Sequence, residues 1–286
     1  MLVTWRYRDL DTLIHRLDPR TKVISFACFV LAALSLWDMR FLLALLAFGV
    51  FQIFLARIAW RDIRRVWLFI FVMAFLFSLI TFLTGRGGFE FYTTEHELAR
   101  WVAPFTLFGW RPVLPVTAER IAYAISQFLR ILAVTSSAIV IPYTIDPRAY
   151  GVTFHRLGLP DKFAYAIDLS LRFVPTFARD FAITYDAQRA RGFELERARG
   201  GLLAQIRRLA PLLVPVVIQA IVGGEEIIDA MDLRSFGVRT RTWLMSLHYH
   251  WIDAIWICLS VAVLIGSVAL PAFGYGKFWV PPFLLK

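Results

Sequence analysis

The stretch VWLFIFVMAFLFSLITFLT, residues 66–84, contains no charged residue and decides the fold class of the chain. A helix that crosses the hydrocarbon core of a bilayer needs about 20 mostly apolar residues. The rest of the chain is similar, because 59% of its 286 residues are hydrophobic and its mean hydropathy is +0.63. This composition excludes an ordinary water-soluble domain, whose surface is largely polar. We therefore expect an all-α polytopic membrane protein.

Further apolar runs predict the other membrane spans, for about five in all. They lie at residues 23–37, 41–56, 121–141 and 252–273. The first two are short, so they either draw on flanking residues or form a tight hairpin that enters one leaflet. We favour spanning for both.

The basic residues predict the orientation of these spans, since arginine and lysine near short loops remain in the cytoplasm. The loop at 57–65 holds four arginines, three of them in the cluster Arg61, Arg64 and Arg65, whereas the turn at 37–40 holds one. This loop and the N-terminal segment are therefore expected inside, and residues 85–119 outside. The net charge of +10 is then a topology signal, and nucleic-acid binding is not expected.

Residues 146–250, which this topology places on the cytoplasmic side, contain two long helical patterns. From Pro160, polar residues recur three, four or seven apart, which predicts an amphipathic helix of about 30 residues. Pro175 should kink or interrupt it, and Gly192 should end it. The second pattern, PLLVPVVIQAIVGGEEIIDAMDLRSFG at 211–237, is long enough to span, but its prolines, glycine pair and acids argue against a lipid-exposed helix. Each helix ends on a turn that displays one arginine.

Three of these segments resemble the transmembrane T component of energy-coupling factor transporters. They are HRLDPRTK (15–22), LGLPDKFAYAIDLSLRFVPTFARDFAITYDAQRARG (157–192) and the 211–237 stretch followed by RTRT (239–242). The resemblance covers most of the chain except residues 85–116. It implies a subunit that couples two cytoplasmic ABC-type ATPases to an S component, a small membrane protein that binds a vitamin or a transition-metal ion. Residues 1–145 would hold the first four spans, 146–250 the coupling region and 251–286 the last span.

The resemblance also implies the residues that bind the ATPases, two X-Arg-X motifs at the ends of the coupling helices. Here they are Ala190-Arg191-Gly192 and Leu233-Arg234-Ser235, where Ser235 replaces the usual glycine and leaves the shape of that turn open. A second Ala-Arg-Gly at 198–200 does not follow the long helix, so Arg199 is expected to be a decoy. Without the resemblance, these arginines would be ordinary solvated charges on inner loops.

Other residues carry weaker hypotheses. Arg130 lies inside the fourth predicted span, where arginine needs a partner, either an acid such as Asp168 or the S component. Gly223 and Gly224 would allow close helix approach and sliding, or contact the S component. The hydroxyl groups at 135–137 are expected to bond backbone or a neighbouring helix, or else to line a path. The pair His248 and His250 points to different helix faces and fits an aromatic belt better than a metal site.

Missing motifs limit the chemistry. The sequence has no G-x-x-x-x-G-K-[ST], so ATP must be bound by the partner ATPases, and no cofactor is expected. No catalytic or metal-ligand constellation is expected either, nor a set of intramembrane carboxylates. We predict a coupling subunit, not itself an enzyme, in the plasma membrane of a prokaryote. The alternatives are a free-standing secondary transporter and another integral membrane protein, such as a membrane-embedded enzyme.

Overall fold

The computed structural model describes residues 7, 10–84, 97–102, 113–192, 202–238, 242–273 and 279–280. In these ranges the helices are α1 (Leu13–Arg16), α2 (Pro19–Ser35), α3 (Met39–Leu55), α4 (Trp60–Thr84), α5 (Ala118–Thr144), α6 (Tyr150–Arg156), α7 (Asp161–Ala190), α8 (Leu202–Leu233) and α9 (Trp251–Ala269). Two antiparallel strands, β1 (Glu97–Val102) and β2 (Val113–Thr117), lie between α4 and α5. The all-α prediction is confirmed, with this hairpin as a local addition.

The predicted membrane character is confirmed by helix length and composition. Helices α4, α5 and α9 are long and apolar enough to cross a membrane, and so is the Leu209–Leu233 part of α8. Helices α2 and α3 have 17 residues each, which at 1.5 Å per residue is about 25 Å and shorter than a standard span. The prolines, glycine pair and acids of the 211–237 stretch argued against a lipid-exposed helix, but by length and composition the Leu209–Leu233 part of α8 could cross a membrane.

Two of the spans begin before their apolar runs because polar side chains cap them. Asp18 accepts a hydrogen bond from the backbone N–H of Arg20 at 2.8 Å, so α2 begins at Pro19. Thr117 accepts from the N–H of Arg120 at 3.3 Å and starts α5 in the same way. Such caps satisfy N–H groups that have no partner within the helix. The helices therefore include charged first turns that hydropathy alone leaves out.

Contacts divide the structure into two units. One contains Tyr7–Ile145 together with His248–Lys286, and is called the bundle unit here. The other contains Asp146–Leu247 and is called the coupling-helix unit.

Helix α5 is the centre of the bundle unit. It packs against α2, α3 and α4, while α9 packs against α2. Half of the most apolar window of α5 is buried, against 11% for α4 and 6% for α9. The outer helices therefore leave most of their apolar side chains for lipid or a partner, and α5 forms the interior.

Arg130 fixes α5 to the end of α2. Its Nε donates to the carbonyl of Ala33 at 2.9 Å, and its Nη2 donates to the carbonyl of Leu36 at 2.7 Å. Its Nη1 donates to Oε1 of Gln127 at 2.8 Å, and the guanidinium lies 4.1 Å from the ring centroid of Trp37. The last carbonyls of a helix have no partner inside it. Arg130 therefore closes the C-terminal end of α2.

The expected ion pair between Arg130 and Asp168 is wrong. Carbonyl oxygens and an amide hold Arg130, and Asp168 instead accepts from Nη2 of Arg172 at 3.2 Å, one helical turn away. A carboxylate is not needed inside the bundle because carbonyl oxygens at a helix end already carry partial negative charge. The hydroxyl groups of Thr135 and Ser136 bond backbone carbonyls one turn earlier, as expected for membrane helices.

A second polar network joins the N-terminal segment to α9. The fully buried carboxylate of Asp253 accepts from the backbone N–H of Asp18 and of His250, both at 2.8 Å. Nζ of Lys22 donates to the carbonyl of Thr144 at 2.8 Å, which closes the end of α5. Arg20 pairs with Asp18 at 2.8 Å. This network explains why the HRLDPRTK segment is so polar beside an apolar helix.

The coupling-helix unit consists of two long helices and a short one. Helix α7 has 30 residues and runs without interruption through Pro175, so an interruption there is wrong, while a kink at Pro175 stays a prediction. Pro160 precedes the first helical residue as its N-cap. Helix α8 has 32 residues and begins at Leu202, ahead of Pro211. A proline in a helix removes one hydrogen bond but does not end the helix when packing supports both sides. Helix α7 packs against both α6 and α8.

We expect Arg130→Met to destabilise the bundle unit by about 3 kcal/mol, because two buried carbonyls lose their donors. Arg130→Lys should lose less, since the ammonium keeps its charge but cannot reach both carbonyls. Thermal unfolding of the purified chain in detergent measures both, with Arg61→Ala on exposed α4 as the control. If Arg130→Met has the same unfolding temperature as the wild type but no longer binds a membrane partner, Arg130 contributes to a subunit contact and not to the stability of the fold.

Candidate functional site

The first arginine turn lies at the end of α7. Ala190 is the last helical residue and Arg191 is the C-cap, and the N–H of Gly192 donates to the carbonyl of Arg189 at 3.0 Å. Gly192 has a φ of +86°, the left-handed conformation that glycine adopts without strain. All three residues of the motif are exposed.

The second arginine turn has the same construction at the end of α8. Leu233 is the last helical residue, and the N–H of Ser235 donates to the carbonyl of Asp232 at 2.9 Å. The N–H of Phe236 donates to the carbonyl of Met231 at 3.0 Å, which completes a Schellman motif. Ser235 has a φ of +52°, so it adopts the left-handed conformation although it has a side chain.

The two motifs therefore present their arginines alike. Each arginine occupies the C-cap position and is exposed, and each is followed by a left-handed residue that turns the chain away. Ser235 therefore keeps the turn shape that glycine gives at Gly192. Because serine has a side chain, its left-handed conformation costs about 1–2 kcal/mol of backbone strain. The neighbouring Leu233 is 88% exposed, an unusual position for leucine. Both turns thus carry features that a binding partner would cover.

The two arginine turns are far apart. The ring of Phe236, next to the second turn, packs against the ring of Tyr165 near the start of α7, with centroids 4.7 Å apart. From Tyr165, about 39 Å of helix leads to Arg191 at a rise of 1.5 Å per residue. The two turns therefore lie near opposite ends of α7. They form two separate sites and not one cluster.

A polar and aromatic group supports the start of α7, and the sequence did not reveal it. Nδ1 of His155 lies 2.9 Å from Oδ1 of Asp161, and Nε1 of Trp243 donates to the same oxygen at 3.3 Å. The rings of His155 and Trp243 stack, with centroids 5.5 Å apart. This group joins α6, α7 and the segment after α8, which are distant in sequence. The sequence shows only that each of these three residues lies at the polar end of an apolar segment, which does not indicate that they meet.

A glycine in α6 makes the same junction tight. A Cβ built on Gly151 would lie 2.7 Å from Cβ of Asp168 and 3.0 Å from the carbonyl of Ala164. No larger residue fits without a shift, so α6 and α7 are packed at backbone distance.

Gly223 and Gly224 lie in the middle of α8 and face open space. A Cβ built on either residue meets no atom within 4 Å. Large apolar side chains on the same helix are also exposed, among them Val217, Ile218 and Ile221. Within the described residues, the glycine pair therefore does not serve packing. Sliding of a helix over Gly223 and Gly224, as predicted, would therefore involve a helix of a partner protein.

The remaining predicted residues have simpler environments. Arg199 falls at 193–200, outside the described residues. His250 is the N-cap of α9, and its Nδ1 lies 3.7 Å from Asp253. Where the structure describes the chain, it brings together no three His, Cys, Asp or Glu residues that could hold a metal ion.

Comparison with known protein families matches residues 11–244 to the family described as "CbiQ: Cobalt transport protein". The chain belongs to the CbiQ family. The match includes both arginine turns and most of the bundle unit. The resemblance to the T component of energy-coupling factor transporters is confirmed, and with it the membrane-transport class.

Several curated relatives carry the name energy-coupling factor transporter transmembrane protein EcfT. The protein from Thermotoga maritima is 27% identical over 91% of this chain and 90% of its own length. The one from Heliobacterium modesticaldum is 28% identical over 81% of this chain and 82% of its own. The EcfT 1 protein of Listeria monocytogenes is 27% identical over 94% and 97%, respectively. The matches cover 81% or more of this chain and 82% or more of each relative, and the relatives' names describe a transmembrane protein of an energy-coupling factor transporter.

We expect exchange of the two left-handed residues to have opposite effects on stability. Gly192→Ser should destabilise the coupling-helix unit by about 1 kcal/mol, and Ser235→Gly should stabilise it by up to the same amount, because only glycine is unstrained there. Among the described residues, no atom lies within 4 Å of a Cβ built on Gly192, so their packing does not contribute. Hydrogen exchange at the ends of α7 and α8 measures both. Equal protection in the two variants and the wild type would contradict the strain argument.

Proposed function

We propose that this chain is the coupling subunit of an energy-coupling factor importer. It transmits the ATP-driven motion of two ABC-type ATPases to an S component, which binds the vitamin or transition-metal ion to be taken up. The observation that supports this most is the pair of matched arginine turns, one at the end of α7 and one at the end of α8. Two separate turns of the same shape suit two similar subunits better than one partner or none.

Arginine is chemically suited to such contacts. Its planar guanidinium stays charged and offers five N–H donors in a fixed arrangement, which carboxylates and carbonyl oxygens on an ATPase surface can accept. The C-cap position strengthens the contact, because a cation at a helix C-terminus interacts favourably with the helix dipole. The exposed Leu233 would add apolar area beside Arg234. ATP itself is bound and hydrolysed by the partner ATPases.

The uncovered apolar residues of the two long helices support a membrane partner. Helix α8 exposes Leu213, Val214, Val217, Ile218, Ile221 and Val222, and α7 exposes Phe163, Phe177 and Phe181. Apolar patches of this size mark surfaces that lipid or another protein covers. We assign this surface to the S component and residues 146–250 to the coupling region. The subunit is placed in the plasma membrane of a prokaryote, with its N-terminus and coupling region in the cytoplasm.

The arginine turns give the first test of this function. Arg191→Glu combined with Arg234→Glu should abolish binding of both ATPases while the chain remains inserted, because each acid faces the acceptors that held the guanidinium. Affinity purification in mild detergent measures the ATPases that remain bound. Arg199→Glu, in the second Ala-Arg-Gly, is the matched control and should retain them. Full retention in the double variant would refute the assignment, and equal loss in Arg199→Glu would move the first contact to Arg199.

The glycine pair gives the second test. Gly223→Leu with Gly224→Leu should leave ATPase binding and ATP turnover intact, because both arginine turns and the packing of this chain are untouched. Uptake should fall strongly, because the leucines obstruct close approach of a partner helix. Gly266→Leu in α9, where a Cβ also meets no atom within 4 Å, is the control. Loss of the S component would assign the pair to docking, and normal uptake would refute any role.

A further inference from the structure

A cavity of about 750 Å³ opens at one end of the bundle unit, independently of the coupling helices. It lies between the segment around α1, the C-terminal end of α3 and the first turn of α9. Leu13, Leu17, Leu55 and Ile252 make most of its wall apolar, and Trp251 at its edge is 73% exposed. Exposed tryptophan is typical of the boundary between the hydrocarbon core and water.

An arginine in an unfavourable backbone conformation lines this cavity. Arg57 follows the end of α3 with a φ of +50°, and its N–H donates to the carbonyl of Phe54 at 3.0 Å. Glycine is the usual residue at this position after a helix, because a side chain is strained there. Across the residues that the structure describes, the Arg57 guanidinium makes no hydrogen bond or ion pair. A strained arginine thus lines the cavity, and the described residues offer no partner for its charge.

The other charged groups that line the cavity already have hydrogen-bond partners. Asp11 accepts from Nε and Nη2 of Arg16 at 2.6 and 2.8 Å, and these bonds hold the pKa of the Asp11 carboxyl below its usual range. Asp253 accepts from two backbone N–H groups, one of them that of His250. Asp11 is therefore not available to Arg57, and Asp253 keeps its negative charge, held by backbone N–H groups. Among the charged groups that line the cavity, Arg57 is the cation that the described residues leave without an ion pair.

We infer that this cavity binds an anionic phospholipid, with the phosphate of the headgroup on Arg57 and an acyl chain against the apolar wall. A phosphate group suits arginine because its oxygens accept from two guanidinium N–H groups at once. A free phosphate would meet the same cation but would leave the leucine and isoleucine wall in contact with water. The exposed tryptophan and the arginine-rich 57–65 loop place the cavity at the level of the headgroups.

Native mass spectrometry of the purified chain tests this site. The chain is titrated with phosphatidylglycerol and with phosphatidylcholine that carry the same acyl chains. The wild type should bind phosphatidylglycerol more tightly. Arg57→Gly removes the cation and relieves the strained backbone, so the variant should fold, and its preference should fall about fivefold, the contribution of one basic residue near an anionic surface.

Two controls and a competitor separate this site from general attraction. Arg61→Ala removes an exposed arginine in the first turn of α4 that does not line the cavity, and the preference should stay as in the wild type. Leu13→Asn should weaken binding of both lipids, since it makes the wall polar. Soluble glycerol phosphate should not displace the lipid. The inference is overturned if Arg57→Gly keeps the preference, if Arg61→Ala loses as much, or if glycerol phosphate binds as tightly as phosphatidylglycerol.

Discussion

The carbonyl groups at the C-terminal end of a helix have no partner in that helix, and inside a bilayer no water replaces one. Two buried basic residues meet this constraint in the bundle unit. Arg130 donates to the carbonyls of Ala33 and Leu36 at the end of α2, and Lys22 donates to the carbonyl of Thr144 at the end of α5. Because both cations reach from one helix to another, satisfying the backbone also fixes the helices relative to each other.

The coupling-helix unit follows a different rule. Few of its large apolar side chains are buried, and Ala164, Thr184 and Leu212 are the buried residues described on α7 and α8. Its order comes from the junction around His155, Asp161 and Trp243 and from the caps at the helix ends. A unit built this way keeps most of its apolar surface for partners. Apolar surface left exposed in this way agrees with membership of a membrane-transport family.

The sequence predicts what depends on local pattern. The spans at α4, α5 and α9 follow from apolar runs, and both arginine turns follow from helices that end at a small or polar residue. The sequence does not predict contacts between segments that are distant in the chain. Asp18 and Asp253 are 235 positions apart, and nothing local couples them. The partner of Arg130 was predicted as a carboxylate because sequence shows side chains and not free carbonyls. Pro175 was given too much weight, since packing against neighbouring helices keeps α7 continuous.

The short helices α2 and α3 have a consequence for the surrounding lipid. Each is about 25 Å long, whereas a typical hydrocarbon core is about 30 Å thick, and both expose large apolar residues such as Leu34 and Phe51. Lipid chains beside these helices must compress or tilt to match the shorter apolar length. This adjustment costs a fraction of a kcal/mol for each ångström of mismatch. Where these two helices cross a bilayer, the hydrocarbon beside them is thinner than it is beside α4, which has 25 residues.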